Sequence, residues 1–378
     1  MDQKKKMLIV SDYFYPHWTG ISKSLYYMLE AISDLYTITV LTVRYDANLR
    51  KEESLFNSKI IREPVLFSLS RAKYSLLLVF KAIPLIYTSD VVFINSPCTN
   101  ILPIAILSKL FHKKLLIFHQ GDLLLPKGIF NRILEKIFDI FSHYSAKMAD
   151  KLATYTQDYA ENSRILKKYL KKTSAIVMPV VLAQPDISCE KLHFLNQMKK
   201  EKKIIFGFAG RFVEEKGFDV LFDAIPLIIR EIPDAHFVFA GETNMKYEDF
   251  FEENREKFEK VKSYLSIVGL LDSACLSAFY QKLDFLIVPS RSDCFNLVQA
   301  EAMLMKVPVI VSNIPGARDL VKTTHFGEIF ISENSLDLAN VVSRAYKERK
   351  KLGEYYPSVI EYLNNQKNVK KIREFIEQ

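Results

Sequence analysis

The sequence predicts an α/β chain of two Rossmann-like domains whose parallel sheets face a central cleft. Three observations predict it. At 378 residues the chain exceeds what one ordinary hydrophobic core serves. Short apolar runs end in polar loops and lead into segments of helical period, the order of βαβ units. That series begins twice, near residues 6 and 204, on either side of a stretch where it lapses. The expected divisions are an N-terminal domain over 1–181, a linker over 182–203 and a C-terminal domain over 204–355. A closing helix over 356–378 would pack back on the N-terminal domain.

In the first half, residues 6–12 (KMLIVSD) read as a parallel strand, followed by a loop, YFYPHWTGIS, holding Pro16 and Gly20. Leu25, Met28, Leu29 and Ile32 then recur at i, i+3, i+4, i+7, the face of a buried helix. Residues 38–43, 91–94, 115–118, 151–154 and 176–179 supply further strands. The runs at 91–94 and 115–118 lead into NSPCTN and HQGD, and residues 129–147 read as an amphipathic helix. In the second half a strand at 204–209 meets a loop at 210–216 and a helix at 217–231, with Leu221, Ile225, Ile228 and Ile232 on one face. Strands at 236–240, 263–268, 285–288 and 308–311 follow. A solvated helix is expected at 247–262 and closing helices at 336–350 and 358–377.

Composition excludes several classes. An apolar fraction of 49% with 25% charged residues is that of a globular protein. The apolar runs at 76–87 and 101–110 are broken by Lys81, Pro84, Pro103 and Lys109, well short of the roughly 18–20 residues that span a bilayer. The charged start is followed by too short an apolar run for a signal peptide. Cys98, Cys189, Cys275 and Cys294 are scattered, with no CxxC pair and no metal spacing, which predicts a reducing, cytoplasmic compartment. The net charge of +8 is uneven: residues 1–180 carry 25 Lys+Arg against 15 Asp+Glu, the remainder 27 against 29. A basic N-terminal half fits either surplus surface lysine or an anionic surface such as the inner face of a membrane. Lysines mixed with apolar residues at 71–81 and 107–116 are consistent with the second. Nucleic acid is disfavoured, because the basic residues are not interleaved with stacking aromatics.

The stretch FLIVPSRSDCFNLVQAEAMLMKVPVIV (285–311) places Asp293 and Glu301 eight positions apart, at a strand-to-helix turn and on the following helix. Such turns are where an α/β sheet presents its ligand groups. In the loop GRFVEEKG, Gly210 lets the chain turn off its strand and Arg211 and Lys216 project beside a helix N-terminus, an arrangement suited to an anion. Cys294, beside Asp293, has no base partner and reads as a small filler. His119 ends an apolar strand, with Gly121 and Asp122 following.

The order GR…EKG, AGE, VG, PSRSDCFNLVQAEAM…PVI resembles the group 1 retaining glycosyltransferases, nucleotide-sugar enzymes of the GT-B fold in family four. The YFYPHWTG loop and LLIFHQGDL are similar to that family's N-terminal glycine loop and histidine segment, so the resemblance covers nearly the whole chain. It implies transfer of a sugar, with retention, from a nucleotide-diphosphate sugar to a glycan or lipid-linked acceptor in polysaccharide or glycolipid assembly. No cofactor and no metal are implied. By the same resemblance Arg211 and Lys216 hold the diphosphate, Glu301 the ribose, and Asp293 with the amides of Cys294, Phe295, Asn296, Leu297 and Val298 the donor sugar. Gly20, Gly210, Gly241 and Glu242 complete the donor side. His119 lies beside the anomeric centre, and His17, Trp18 and Asp122 belong to the acceptor side.

The sequence departs from the family's pattern in places. Asp293 stands where Glu is usual, Asn296 and Lys306 where glycine is frequent, and Thr19 where a second glycine is common. Two other readings follow from the residues: a binding protein of the same fold with a degenerate donor site, or a nucleotide-sugar epimerase.

Overall fold

A computed structural model describes residues 4–69, 72–125, 128–245 and 248–377. Arg71 and Tyr247, which open two stretches named above, lie outside the described residues. The chain divides into two compact units: residues 1–179 with 365–378, and residues 180–364.

The first unit opens with β1 (Lys6–Val10), α1 (Gly20–Ile32), β2 (Thr37–Arg44), β3 (Glu52–Leu55), β4 (Ser58–Pro64), β5 (Phe67–Leu69) and β6 (Ala72–Tyr74). It continues through α2 (Leu76–Thr88), β7 (Val91–Ser96), α3 (Ile101–Leu110), β8 (Lys114–His119), α4 (Ile129–Met148), β9 (Lys151–Thr154), α5 (Gln157–Asn162) and β10 (Thr173–Ala175). Its main sheet runs β10-β9-β8-β7-β1-β2-β4-β3, parallel except where β3 meets β4. Strands buried on both faces explain the unbroken apolar runs: Met7 to Val10 and all of β7 are buried. The order departs from β1 in both directions, to β2 and to β7, so the carboxyl ends of β1 and β7 form a switch point where loops splay apart.

The second unit follows with α6 (His193–Lys200), β11 (Ile204–Ala209), α7 (Phe218–Glu231), β12 (Ala235–Ala240), α8 (Phe250–Glu253), α9 (Arg255–Val261), β13 (Leu265–Gly269), α10 (Ser273–Lys282) and β14 (Phe285–Val288). Then come α11 (Leu297–Leu304), β15 (Val309–Ser312), α12 (Arg318–Thr324), β16 (Gly327–Phe330), α13 (Ser335–Lys347), α14 (Arg349–Glu354) and α15 (Tyr356–Tyr362). The sheet, β13-β12-β11-β14-β15-β16, is parallel throughout, with its switch point between β11 and β14. Phe206 stacks on Phe237 and Phe285 at centroid distances of 5.3 and 5.6 Å, tying the three central strands through one aromatic layer.

Four expectations are corrected. Residues 176–179 are not a strand; the ladder ends with β10. Residues 182–203 are part of the second unit and carry α6, anchored by buried Leu192 and Leu195. The segment expected as one closing helix is two, and only α16 (Asn365–Glu377) joins the first unit, where Arg373 donates to Ala31 O and pairs with Asp34. Cys189 and Cys275, 86 residues apart, are joined by a disulfide with a Cα–Cα distance of 5.7 Å, while Cys98 and Cys294 are free thiols. Residue spacing carries no information about a pairing made by folding, so the scattered cysteines misled. Among the described residues no helix is long and apolar enough to cross a membrane.

Candidate functional site

At the switch point of the second unit, the loop after β11 meets the loop after β14. Lys216 Nζ lies 2.8 Å from Asp293 Oδ2. Burial alone would lower the lysine's pKa, but the charge and hydrogen bond of Asp293, with Glu215 beside it, outweigh that and raise it. Asp293 is held from two further directions: Asn296 Nδ2 donates to Oδ2 at 2.7 Å, and the Cys294 N–H to Oδ1 at 3.1 Å. Asn296 does a second task. Its Oδ1 accepts from Gln299 N at 3.1 Å, capping α11, the helix that carries Glu301. The residue that replaces a frequent glycine therefore starts the helix and fixes the shortened carboxylate at once.

Glu301 is buried and takes the Tyr280 hydroxyl at 3.1 Å; burial and that carboxylate push the phenol's pKa well up. Arg211 pairs with Glu215 at 2.7 Å. Gly210 and Gly241 end adjacent strands at φ of 157° and 148°, and a Cβ on Gly241 would sit 1.8 Å from Gly210 O, so only glycine permits this approach. Glu242 is exposed, its carbonyl accepting from Phe212 N at 3.0 Å. Phe295 is buried and Leu297 and Val298 form the first turn of α11. Burial and Asp293 push the Cys294 thiol's pKa far up, which fits a filler and not a nucleophile.

Sequence reasoning missed two supports of this loop pair. Arg291 grips Asp219 with two nitrogens at 2.8 and 2.7 Å and donates to Glu214 O at 2.7 Å, while its own N–H bonds Glu215 O. It thereby pins the 214–216 turn that carries Lys216. Gly316, at φ 86°, lies so close under the Asp293 turn that a Cβ would sit 2.5 Å from Asp293 O and 2.6 Å from Cys294 O. Arg291 is visible in PSRSD, but Asp219, Glu214 and Glu215 stand more than 70 residues away and no local signal joins them.

The first unit gathers its own polar groups at the ends of β1, β7 and β8. His119 is 2% exposed, its Nε2 2.9 Å from Asp122 Oδ1 and its Nδ1 3.3 Å from Ser96 Oγ, the residue opposite it in the ladder. Asp122 also accepts from Ser163 Oγ and Arg164 N, both at 2.8 Å. Burial would raise its pKa, yet His119 and these donors hold it down at about 2. Asp122 thus orients the histidine ring.

Asp12, unremarked in the sequence, is buried and accepts from Thr99 N and Oγ1 at 2.8 and 3.0 Å. Burial raises its pKa to about 6 against those hydrogen bonds. Gly20 opens α1 behind a capping box in which Thr19 and Ser22 bond each other's backbone. His17 stacks on Tyr13 with centroids 4.6 Å apart, and Trp18, 52% exposed, packs edge-on against Tyr15 and Tyr26 at 5.3 and 5.2 Å. Among the described residues, no group of three or more His, Cys, Asp or Glu could hold a metal ion.

Residues 203–348 match the family model of the glycosyl transferases group 1. An uncharacterised glycosyltransferase of Methanocaldococcus jannaschii is 32% identical over 152 residues, 39% of this chain and 40% of that protein. The matched stretch thus spans well under two thirds of that relative's length. Sucrose-phosphate synthase from Thermosynechococcus elongatus has the same fold with a TM-score of 0.76, 17% identity and 99% coverage of both chains. Anabaena HepE, solved in complex with UDP-glucose, gives a TM-score of 0.73 at 16% identity, covering 98% of each chain. The fold is GT-B, and the resemblance read in the sequence to group 1 glycosyltransferases stands.

Proposed function

We propose that the protein is a retaining, metal-independent glycosyltransferase that moves a hexosyl or related sugar from a nucleotide-diphosphate sugar to a glycan or lipid-linked acceptor. The observation that carries this reading is the Lys216–Asp293–Asn296 cluster at the β11/β14 switch point, inside the stretch that matches the family. Cations fixed there suit a diphosphate, whose charge grows as it leaves. Arg211 and Lys216 stabilise that charge. Glu301 takes the ribose, and Asp293 with the amides at the start of α11 takes the sugar. The bond from the anomeric carbon to the diphosphate oxygen breaks, its electron pair leaving with the nucleotide. The acceptor oxygen bonds the same face, and its proton passes to the leaving phosphate. His119, its ring set by Asp122, orients the reacting groups. HepE's complex with UDP-glucose supports a nucleotide sugar as donor.

A thermal-shift screen of nucleotide diphosphates and their sugars tests this. A donor at 100 times its Kd should add about 2.7 kcal/mol of stability. The Arg211→Ala, Lys216→Ala double variant should lose that gain and all sugar transfer. Full transfer by the double variant would overturn the diphosphate assignment, and the absence of stabilisation by every donor would overturn the reading.

A further inference from the structure

Helix α4 is built inside out. The side chains it fully buries are small, Ser142, Ser145 and Ala146; Leu134, Phe138 and Met148 are half-buried, and most of its large apolar side chains are exposed. Ile129, Ile133, Ile137, Ile140 and Tyr144 recur at spacings of three and four, a single stripe, and are between 43% and 82% exposed. Ordinary surface helices carry the reverse pattern, and an apolar patch of this extent marks an interaction surface.

The charges on α4 are sorted with equal bias. Arg132, Lys136 and Lys147 are exposed along the stripe. The acids Glu135 and Asp139 are half-buried and turned to the protein: Glu135 accepts from Leu125 N at 2.6 Å, and Asp139 pairs with Arg164 at 3.0 Å. Helix α3 packs against it and α2 against α3, and neither contains an acid in its sequence. On them Phe80, Tyr87 and Leu110 are each 66% exposed. Hydrocarbon-seeking side chains flanked by exposed cations, with the nearby Asp150 paired to Lys109 of α3, match the boundary between acyl chains and anionic headgroups. A second copy of this face is a poor occupant, since it would set cation against cation.

We propose that the outward face of α4, extended by α2 and α3, docks the first unit on an anionic lipid bilayer with α4 lying in the plane of the interface. Charge composition alone pointed to residues 71–81 and 107–116, but it is α4 that carries the continuous stripe. His119 ends β8, the strand that precedes α4 in the chain. The docking itself does not depend on the transfer reaction.

Co-sedimentation of the full chain with vesicles is the test, using phosphatidylcholine alone and phosphatidylcholine mixed equally with phosphatidylglycerol. The wild type should sediment with the mixed vesicles, and added salt should weaken that binding. An Arg132→Gln, Lys136→Gln, Lys147→Gln variant should bind on the order of 100-fold more weakly, at about 1 kcal/mol for each cation near the surface. An Ile133→Glu, Ile137→Glu variant should abolish binding. Both sets of positions are exposed, so unchanged circular dichroism and unchanged stabilisation by donor sugars should accompany the loss. Unaltered vesicle binding by both variants would overturn the proposal, as would failure of the wild type to bind either vesicle. A wild-type dimer in solution that the Ile133→Glu, Ile137→Glu variant dissolves would also overturn it. Donor stabilisation without vesicle binding would remove this inference and leave the proposed function standing.

Discussion

The ammonium of Lys216 and the carboxylate of Asp293 meet at 2.8 Å across 77 residues of sequence, joining the two loops that flank the switch point of the second sheet. Both side chains are largely buried, so neither charge has full access to water. Removing one partner should cost about 3 kcal/mol, because the other is left uncompensated. In a cycle of Lys216→Met, Asp293→Asn and the double variant, urea unfolding should yield a coupling of roughly 1–3 kcal/mol. Additive losses would show that the pair does not form in solution.

Asn296 joins the same cluster to α11. Asn296→Ala should lose the cap, about 1 kcal/mol, together with the bond that holds Asp293. Asn296→Gly preserves most of the cap's worth, since glycine is tolerated there. Its expected signature is a raised KM for the donor sugar with little change in melting temperature. Equal KM values for the two variants and the wild type would show that Asp293 keeps its place without Asn296.

Gly316 should be intolerant of even one carbon. Gly316→Ala places a Cβ against two carbonyl oxygens and forces alanine to φ 86°. The expected loss is at least 1–2 kcal/mol from the backbone conformation, with transfer falling more than stability because the Asp293 turn must move. Wild-type activity in Gly316→Ala would mean that this turn does not set the site.

Two carboxyls of the first unit, buried Asp12 and half-buried Asp122, should give opposite pH dependences. Asp122 has its pKa lowered from 3.8 to about 2, so the unfolded chain binds the proton more tightly. Its contribution, on the order of 2 kcal/mol, is present above 3.8 and is lost as pH falls toward about 2. Asp12 has its pKa raised to about 6, so the folded state binds the proton more tightly. Stability should therefore fall by on the order of 3 kcal/mol as pH rises from 3.8 to about 6. Asp12→Asn should flatten that fall in urea titrations, and Asp122→Asn should lower stability at neutral pH. A steeper fall in Asp12→Asn would contradict the assignment.

The disulfide closes a loop of 86 residues. Its reduction should cost about 2–4 kcal/mol, chiefly by freeing the unfolded chain. Thermal unfolding with and without a phosphine reductant should show a difference that Cys189→Ser abolishes. A peptide map of the unreduced protein lacking a Cys189–Cys275 link would refute the bond.

The sequence by itself determined whatever is written in local order. Strand and helix identity followed from apolar period, and the two βαβ series gave two units; residues 151–154 and 204–209 were legible to the residue. The family resemblance rested on the same local strings, GR…EKG and PSRSD…AEAM. The ladder's end before residue 176 was not legible, because an apolar run alone does not say whether a partner strand is present. Only the tertiary structure decided which side chains meet. Lys216 with Asp293, Arg291 with Asp219, His119 with Ser96 and Cys189 with Cys275 are contacts made by strand order and chain reversal, to which sequence distance is indifferent. Nor could the pattern of α4 say which side of the helix faces the protein. An amphipathic period fixes that one face is apolar, and only packing against α3 shows that this face points outward.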